Sequence, residues 1–248
     1  MVSIEWYISS TSLRRSENLS GRKGFVHHLT YQADLAMTSQ SNDEYRDIHS
    51  SLLSYAEVLE FFLQLEREGD VKSYCNGSNV AGRWFFQIYN KEFIEELSKV
   101  LNKILGRRRK NPPLLEIMCG DGRLTEFLQP MIKRRIIATD SKDGRYNIGY
   151  PKWVETLDAE DAITKYSPSF VIMCWEPYLS MTGIEIVKMG IPVAWVGNPK
   201  MCGHTDIFEN VNIPFESKFA LSRHDFFAAS EFKTDIFFFN CKPEWLKI

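Results

Sequence analysis

The sequence contains no apolar run approaching the roughly 18 residues that a membrane-spanning helix needs, so no such helix is expected. Its first twenty residues mix Glu5, Arg14, Arg15 and Glu17 with short apolar stretches, without the continuous apolar core of a secretion signal. Five cysteines (Cys75, Cys119, Cys174, Cys202 and Cys241) are odd in number, scattered and free of Cys-x-x-Cys spacing. That pattern speaks against both a disulfide framework and a bound metal, and for a reducing compartment, the cytoplasm or nucleus. A net charge of -2 gives no general pull toward nucleic acid. Two local basic clusters, Arg107-Arg108-Arg109-Lys110 and Lys133-Arg134-Arg135, sit where helices end, and cations there suit the negative pole of the helix dipole. No internal repeat or low-complexity segment is present.

The hydrophobic fraction of 44% and a length of 248 residues support one α/β domain with an N-terminal addition. Residues 1 to about 40 have no clean periodicity. From Ser41-Asn42-Asp43, a candidate N-cap, Tyr45, Ile48, Leu52, Tyr55, Leu59 and Phe62 recur at helical steps as far as Gly69. Residues 70–82 read as a loop. A second helical stripe runs through Phe86, Tyr89, Phe93, Leu97, Leu101 and Ile104 to Gly106, and Asn111-Pro112-Pro113 then breaks the chain. These features divide it into a helical extension or lid over residues 1–110 and an α/β domain over 111–248.

Beyond the break, short apolar runs alternate with helical patterns. Strands are expected at Leu114 to Met118, Ile136 to Thr139, Val154 to Thr156, Phe170 to Cys174 and Val193 to Val196. Helices are expected at Leu124 to Ile132, Asp161 to Tyr166 and Gly183 to Lys188. Such alternation means parallel βαβ units in one covered sheet. The tail differs: Lys218 to Leu221 and Asp235 to Asn240 are strand-like without a long helix between them, as an antiparallel pair would be. The aromatic run Ile236-Phe237-Phe238-Phe239 reads as a buried strand.

The chemistry-bearing segment is Glu116-Ile117-Met118-Cys119-Gly120-Asp121-Gly122-Arg123, an apolar strand running into a glycine turn and then a helix. Glycines there let the backbone approach a ligand, and the helix start offers free N–H groups to a carboxylate. Asp140 closes the next strand, placed to accept hydrogen bonds from a ribose diol, or simply a strand-end turn residue. Asp158-Ala159 follows the third strand, where the carboxylate suits an adenine amino group or a helix cap. The order of these three elements on consecutive strand ends resembles the class I S-adenosylmethionine (SAM)-dependent methyltransferase family, over Pro113 to about Asn240. That resemblance implies a Rossmann-like, mostly parallel sheet with an antiparallel C-terminal pair, and SAM as cofactor. Glu116 fills the acidic place of the family's first motif. Met118 and Arg123 stand at two of its glycine positions, and Gly120 and Gly122 keep the others. The same strand-turn-helix logic serves an NAD(P) oxidoreductase, against which the degenerate glycines and the tail pair both speak.

Cys174-Trp175-Glu176-Pro177-Tyr178 ends the fourth strand. It resembles the (Asp/Asn)-Pro-Pro-aromatic motif of amino-group methyltransferases, and more closely the Ser-Trp-x-Pro version of a group of small eukaryotic methyltransferase-like proteins. Trp195-Val196-Gly197-Asn198 and Cys202-Gly203-His204-Thr205-Asp206 are similar to later segments of that group. The resemblance implies cofactor-binding roles for Glu116, Met118, Gly120, Gly122, Asp140, Asp158, Ala159, Cys174 and Trp175. By its own chemistry the loop offers Glu176 to take up or orient the acceptor's proton and Tyr178 to wall the site; alternatively, Trp175 packs on the sheet and Glu176 is solvated. Cys119 and Cys174 read as apolar packers, His204 and His27-His28 as structural or surface residues. Arg223-His224-Asp225 with Phe226-Phe227 has substrate chemistry but no placement. The aromatic stretch Gly82 to Asn90 reads equally as a site lining or a helix start. Neutral charge and aromatic loops favour a small molecule or protein side chain over nucleic acid as acceptor. The alternative is a non-catalytic methyltransferase-fold subunit that binds a partner protein.

Overall fold

The computed structural model describes residues 46–107, 112–144, 146–227 and 232–246, all of them within one compact unit over 42–248. The Ser41-Asn42-Asp43 cap, His27-His28, most of the first basic cluster and residues 1–45 generally lie outside the described residues.

Seven strands form the main sheet: β2 (Leu114–Ile117), β3 (Ile136–Asp140), β4 (Glu155–Thr156), β5 (Phe170–Cys174), β6 (Val193–Gly197), β7 (Asn212–Pro214) and β9 (Asp235–Phe239). Their spatial order is β4-β3-β2-β5-β6-β9-β7. β4, β3, β2, β5 and β6 are mutually parallel, and only β9 runs against its neighbours β6 and β7. Counted within the sheet, this is order 3-2-1-4-5-7-6. It departs from the 3-2-1-4-5-6 order of the dinucleotide fold by a reversed strand inserted near one edge. The Rossmann-like α/β fold expected from the sequence is therefore the fold observed.

Alternate residues of each strand serve opposite cores, as the two-residue pleat dictates. Leu114, Ile172, Ala194 and Phe238 pack against α3 (Lys91–Gly106), α4 (Arg123–Leu128) and α8 (Pro243–Leu246). Leu115, Ile117, Val171, Met173 and Trp195 pack against α5 (Ala159–Tyr166) and α6 (Thr182–Lys188). A third apolar cluster joins α1 (Tyr55–Glu68), α2 (Val71–Cys75) and α7 (His224–Phe227) to the small antiparallel pair β1 (Gln87–Ile88) and β8 (Leu221–Ser222).

Several boundaries move from their sequence expectations. The first helix starts at Tyr55, because Ser54 and Glu57 close a capping box there, so Ile48 and Leu52 lie before it. Within the segment expected to be a loop, Val71–Cys75 is helical, since Val71, Tyr74 and Cys75 bury themselves in the third cluster. The second long helix begins at Lys91 with Asn90 as its cap, leaving Phe86 and Tyr89 outside it. The partner of β9 is β7, not Lys218 to Leu221, of which only Leu221 is in a strand, paired to β1. β7 is three residues long and ends in Pro214, tolerable only at an edge, which hid it from pattern reading. Arg134 does serve a helix end, donating through Nη2 to the Leu105 carbonyl at 2.8 Å.

Candidate active site

The sheet reverses its building direction at β2, whose neighbours β3 and β5 follow it on opposite sides. Open α/β sheets bind ligands in the crevice outside the strand carboxyl ends at such a point. Here that crevice encloses about 1080 Å³ including its open mouth. Met118, Gly120 and Asp121 after β2, Asp140 at the end of β3, and Cys174 and Trp175 at the end of β5 all line it.

The turn after β2 is fastened to β3 by Asp140. Its Oδ2 accepts from the Gly120 N–H at 2.9 Å and its Oδ1 from the Lys142 N–H at 2.8 Å. With the Tyr150 hydroxyl bonded to it as well, the carboxylate keeps one of its roughly four acceptor sites for a ligand. Tyr150, also in the wall, is bonded to the same carboxylate; its phenol is pushed up by burial and by that negative charge. Gly122 holds φ +73, which favours glycine, and a Cβ there would meet the edge of the half-exposed Trp153 ring at 2.4 Å, so that ring would have to move. Met118, at the absent first glycine, adopts φ +52 regardless, and Trp175 on the neighbouring strand end adopts φ +56. For side-chain-bearing residues this costs ~1–2 kcal/mol each, strain of the kind that concentrates at functional sites.

Two buried donors in the wall have no hydrogen-bond partner, Gln87 Nε2 and Arg123 Nε. Arg83 spans the rim, with Nε 2.7 Å from Asp47 and Nη1 2.6 Å from Asp121, and ties the segment before α1 to the glycine turn. His49, stacked on Tyr89 at 5.1 Å, accepts the Tyr89 N–H at 2.9 Å; burial and the nearby Arg83 and Arg123 hold its pKa down to about 3. The Gly82-to-Asn90 stretch thus supplies much of one wall, from Gly82 to Gln87 and Tyr89.

Other expected residues stand off the crevice. Glu116 is fully buried beneath it and accepts from the Thr125 N–H at 2.9 Å and from the Thr125 hydroxyl. Burial pushes its carboxyl up to about 8. Asp158 caps α5 by accepting from the Asp161 N–H at 2.9 Å, and neither it nor the buried Ala159 lines the crevice. Burial also raises the thiols of Cys119 and Cys174, the latter 3.5 Å from the Tyr89 hydroxyl, which suits packing rather than nucleophilic attack. His204 caps a short 3₁₀ turn with its Nδ1 3.2 Å from Asp206.

Trp175 packs as a wall, its Nε1 donating to Gln87 Oε1 at 2.8 Å and its ring 5.3 Å from His224. It separates the crevice from a second chamber that Glu176, Tyr178, Arg223 and His224 also line. Tyr178 is exposed. Glu176 is buried rather than solvated: Oε1 accepts from the Gly183 N–H at 2.8 Å and Oε2 from Trp195 Nε1 at 3.2 Å. Gly183 has no room for a Cβ, which would lie 2.5 Å from Glu176 Oε2. Glu176→Ala leaves two buried donors unpaired, at a cost of ~3 kcal/mol. Its melting temperature should fall by about 6–12 °C; an unchanged melting curve would contradict the structural role.

Sequence reading missed His49 and Tyr150 as wall residues, whereas Arg83 lies in the Gly82-to-Asn90 stretch that it offered as a site lining. For His49 and Tyr150 no local pattern marks them, because long-range packing brings them in.

No family model matches the chain, and no curated protein matches it. Among solved structures, it is similar to the CurJ carbon methyltransferase (12% identity, TM-score 0.38), with 59% of this chain covered. The chain spans about half, 53%, of that protein. It is also similar to the plantazolicin methyltransferase BpumL in complex with a monoazolic desmethylPZN analog and SAH (11% identity, TM-score 0.36, covering 75% of this chain and 100% of that one). A Thermoplasma acidophilum protein aligns at 12% identity and TM-score 0.33, over 60% of this chain and 95% of its own. At such scores the likenesses carry no weight for function, which rests on the crevice itself.

Proposed function

We propose that the protein is a SAM-dependent methyltransferase acting on a small molecule or a protein side chain. The observation that carries this reading is the Asp140 carboxylate, facing the switch-point crevice while clamping the Gly120 N–H of the turn after β2. A strand-end carboxylate of this kind suits a ribose hydroxyl. The buried Gln87 Nε2, which has no hydrogen-bond partner, suits the carboxylate end of an amino-acid-like ligand, so the residues present fit the cofactor. The reversed β9 supports this over the dinucleotide reading.

The cofactor supplies a methyl group on a sulfonium cation. Asp140, Gly120 and Met118 hold the nucleoside side of the crevice, and Cys174 and Trp175 flank the reacting end. The Trp175 and Phe86 rings, 6.1 Å apart, keep water out and present π-faces to positive charge. Bringing donor and acceptor to about 3–3.5 Å in line is the main catalytic contribution in such a displacement. Tyr178 walls the acceptor side. Glu176 acts as a positioning residue, holding the Trp175–Tyr178 loop through Gly183 and Trp195. Asp158 and Ala159, which stand off the crevice at the start of α5, are assigned no contact with the cofactor.

Titration calorimetry with SAM and with S-adenosylhomocysteine tests the reading. One site per chain at micromolar strength is expected; folded protein that gives no heat with either contradicts it. A second reading, a non-catalytic subunit that binds a partner protein, draws on the commitment of Glu176 to structural bonds. Under it, Asp140→Ala would leave partner association and function unharmed.

A further inference from the structure

We propose that the chamber behind Trp175 is the acceptor site and that it takes a flat, apolar molecule bearing a carboxylate, held by Arg223. This rests on the methyltransferase reading for its role as acceptor site, but not for the binding itself. Trp84, Phe86, Tyr146 and Trp175 form one continuous wall, with ring centroids 5.1 Å apart for Trp84–Tyr146, 5.4 Å for Phe86–Tyr146 and 6.1 Å for Phe86–Trp175. The same four side chains also line the cofactor crevice, so the two spaces share this aromatic wall.

Arg223 lines this chamber although only 8% exposed. Its guanidinium is sandwiched between the Phe86 and Phe227 rings, 5.2 Å from each centroid. Its one side-chain hydrogen bond among the described residues runs from Nη2 to Asn76 Oδ1 at 2.7 Å, and its buried Nε has no partner. No carboxylate of the described residues pairs with it. Glu176, the carboxylate lining the chamber, is already bonded to Gly183 and Trp195. A buried cation left without a counter-charge is costly, and an ordinary structural role would place an acid where Asn76 stands. The two aromatic rings fix the guanidinium plane and leave its edge to meet a planar anion in fork geometry. Lys200 also lines the chamber but is exposed and has an interaction of its own, so Arg223 is the buried cation of the lining, and one buried guanidinium balances the single charge of a carboxylate better than the double charge of a phosphate. His224, held neutral near pH 7 by burial and by Arg223 with a pKa of about 4, adds no second cation.

The test is calorimetric titration of the full chain with 2-naphthoate, 2-naphthamide and 2-naphthyl phosphate, with and without S-adenosylhomocysteine. The carboxylate should bind at least about tenfold more tightly than the neutral amide. Arg223→Gln should remove that preference. Asn76→Asp, which supplies an internal carboxylate to Nη2 without changing shape, should remove it too while keeping the melting temperature. Equal binding of acid and amide, no binding of either, tighter binding of the phosphate, or a preference that survives Asn76→Asp each overturns the proposal. The titration without S-adenosylhomocysteine reads the chamber alone, so failure of the cofactor reading remains distinguishable.

Discussion

Asp140→Ala should weaken S-adenosylhomocysteine binding by about 100-fold, read by calorimetry. The carboxylate is assigned a charge-assisted bond to the ribose, contributing ~1.5–3 kcal/mol when its loss strands a partner. The same change frees the Gly120 and Lys142 N–H groups, which Asp140 now holds at 2.9 and 2.8 Å, so the glycine turn also loses its anchor. Asp140→Asn separates the two effects. It retains one acceptor oxygen and removes the charge, and should bind about tenfold more weakly than wild type. Undiminished affinity in Asp140→Ala, with an intact fold, would remove the basis for a nucleoside in this crevice.

The second large effect is in stability against pH. Glu116 is buried, and its carboxyl is raised to about 8 from 4.5 chiefly by desolvation. The native state therefore keeps the proton through a range in which the unfolded chain has lost it. Stability from this group is full below about 4.5 and is lost as pH rises toward 8. His49 and His224 act oppositely: burial lowers both from 6.5, so their contribution is full above 6.5 and lost on acidification toward about 3 and about 4. Between 6.5 and 8 the Glu116 trend should dominate, since burial raises the Glu176 and Asp235 carboxyls less and places Cys75 and Cys202 near 12. At ~1.4 kcal/mol per pH unit for one proton, the protein should lose ~2 kcal/mol over that window. Melting temperature should drop by about 4–8 °C. In Glu116→Gln the drop should vanish, and an unchanged slope in the variant would place the titrating group elsewhere.

What the sequence made legible follows from how local each signal is. The βαβ rhythm and the glycine turn are short-range patterns, so β2, β3, β5, β6 and the switch point between them could be placed without coordinates. Asp140 was legible for the same reason, being the last residue of an apolar strand. Glu176 was not, because its burial depends on Gly183 and Trp195, seven and nineteen residues further on. Arg223 illustrates the same limit. Its chemistry was visible, but its place beside Trp84 and Phe86 comes from β1 pairing with β8, two two-residue strands separated by more than a hundred positions. Three-residue β7 carries too little pattern to distinguish from loop. Met118 and Trp175 are the converse case: glycine-like turn positions filled by large side chains, where the backbone conformation was kept at the cost of strain.

Hydrogen exchange of the intact chain with and without saturating S-adenosylhomocysteine tests the central claim most directly. Slowed exchange after β2 (118–123), at the end of β3 (139–142), at the end of β5 (174–177) and along the wall segment 82–89 is the predicted result. Protection elsewhere with these three strand ends unchanged, or no protection at all, would contradict it.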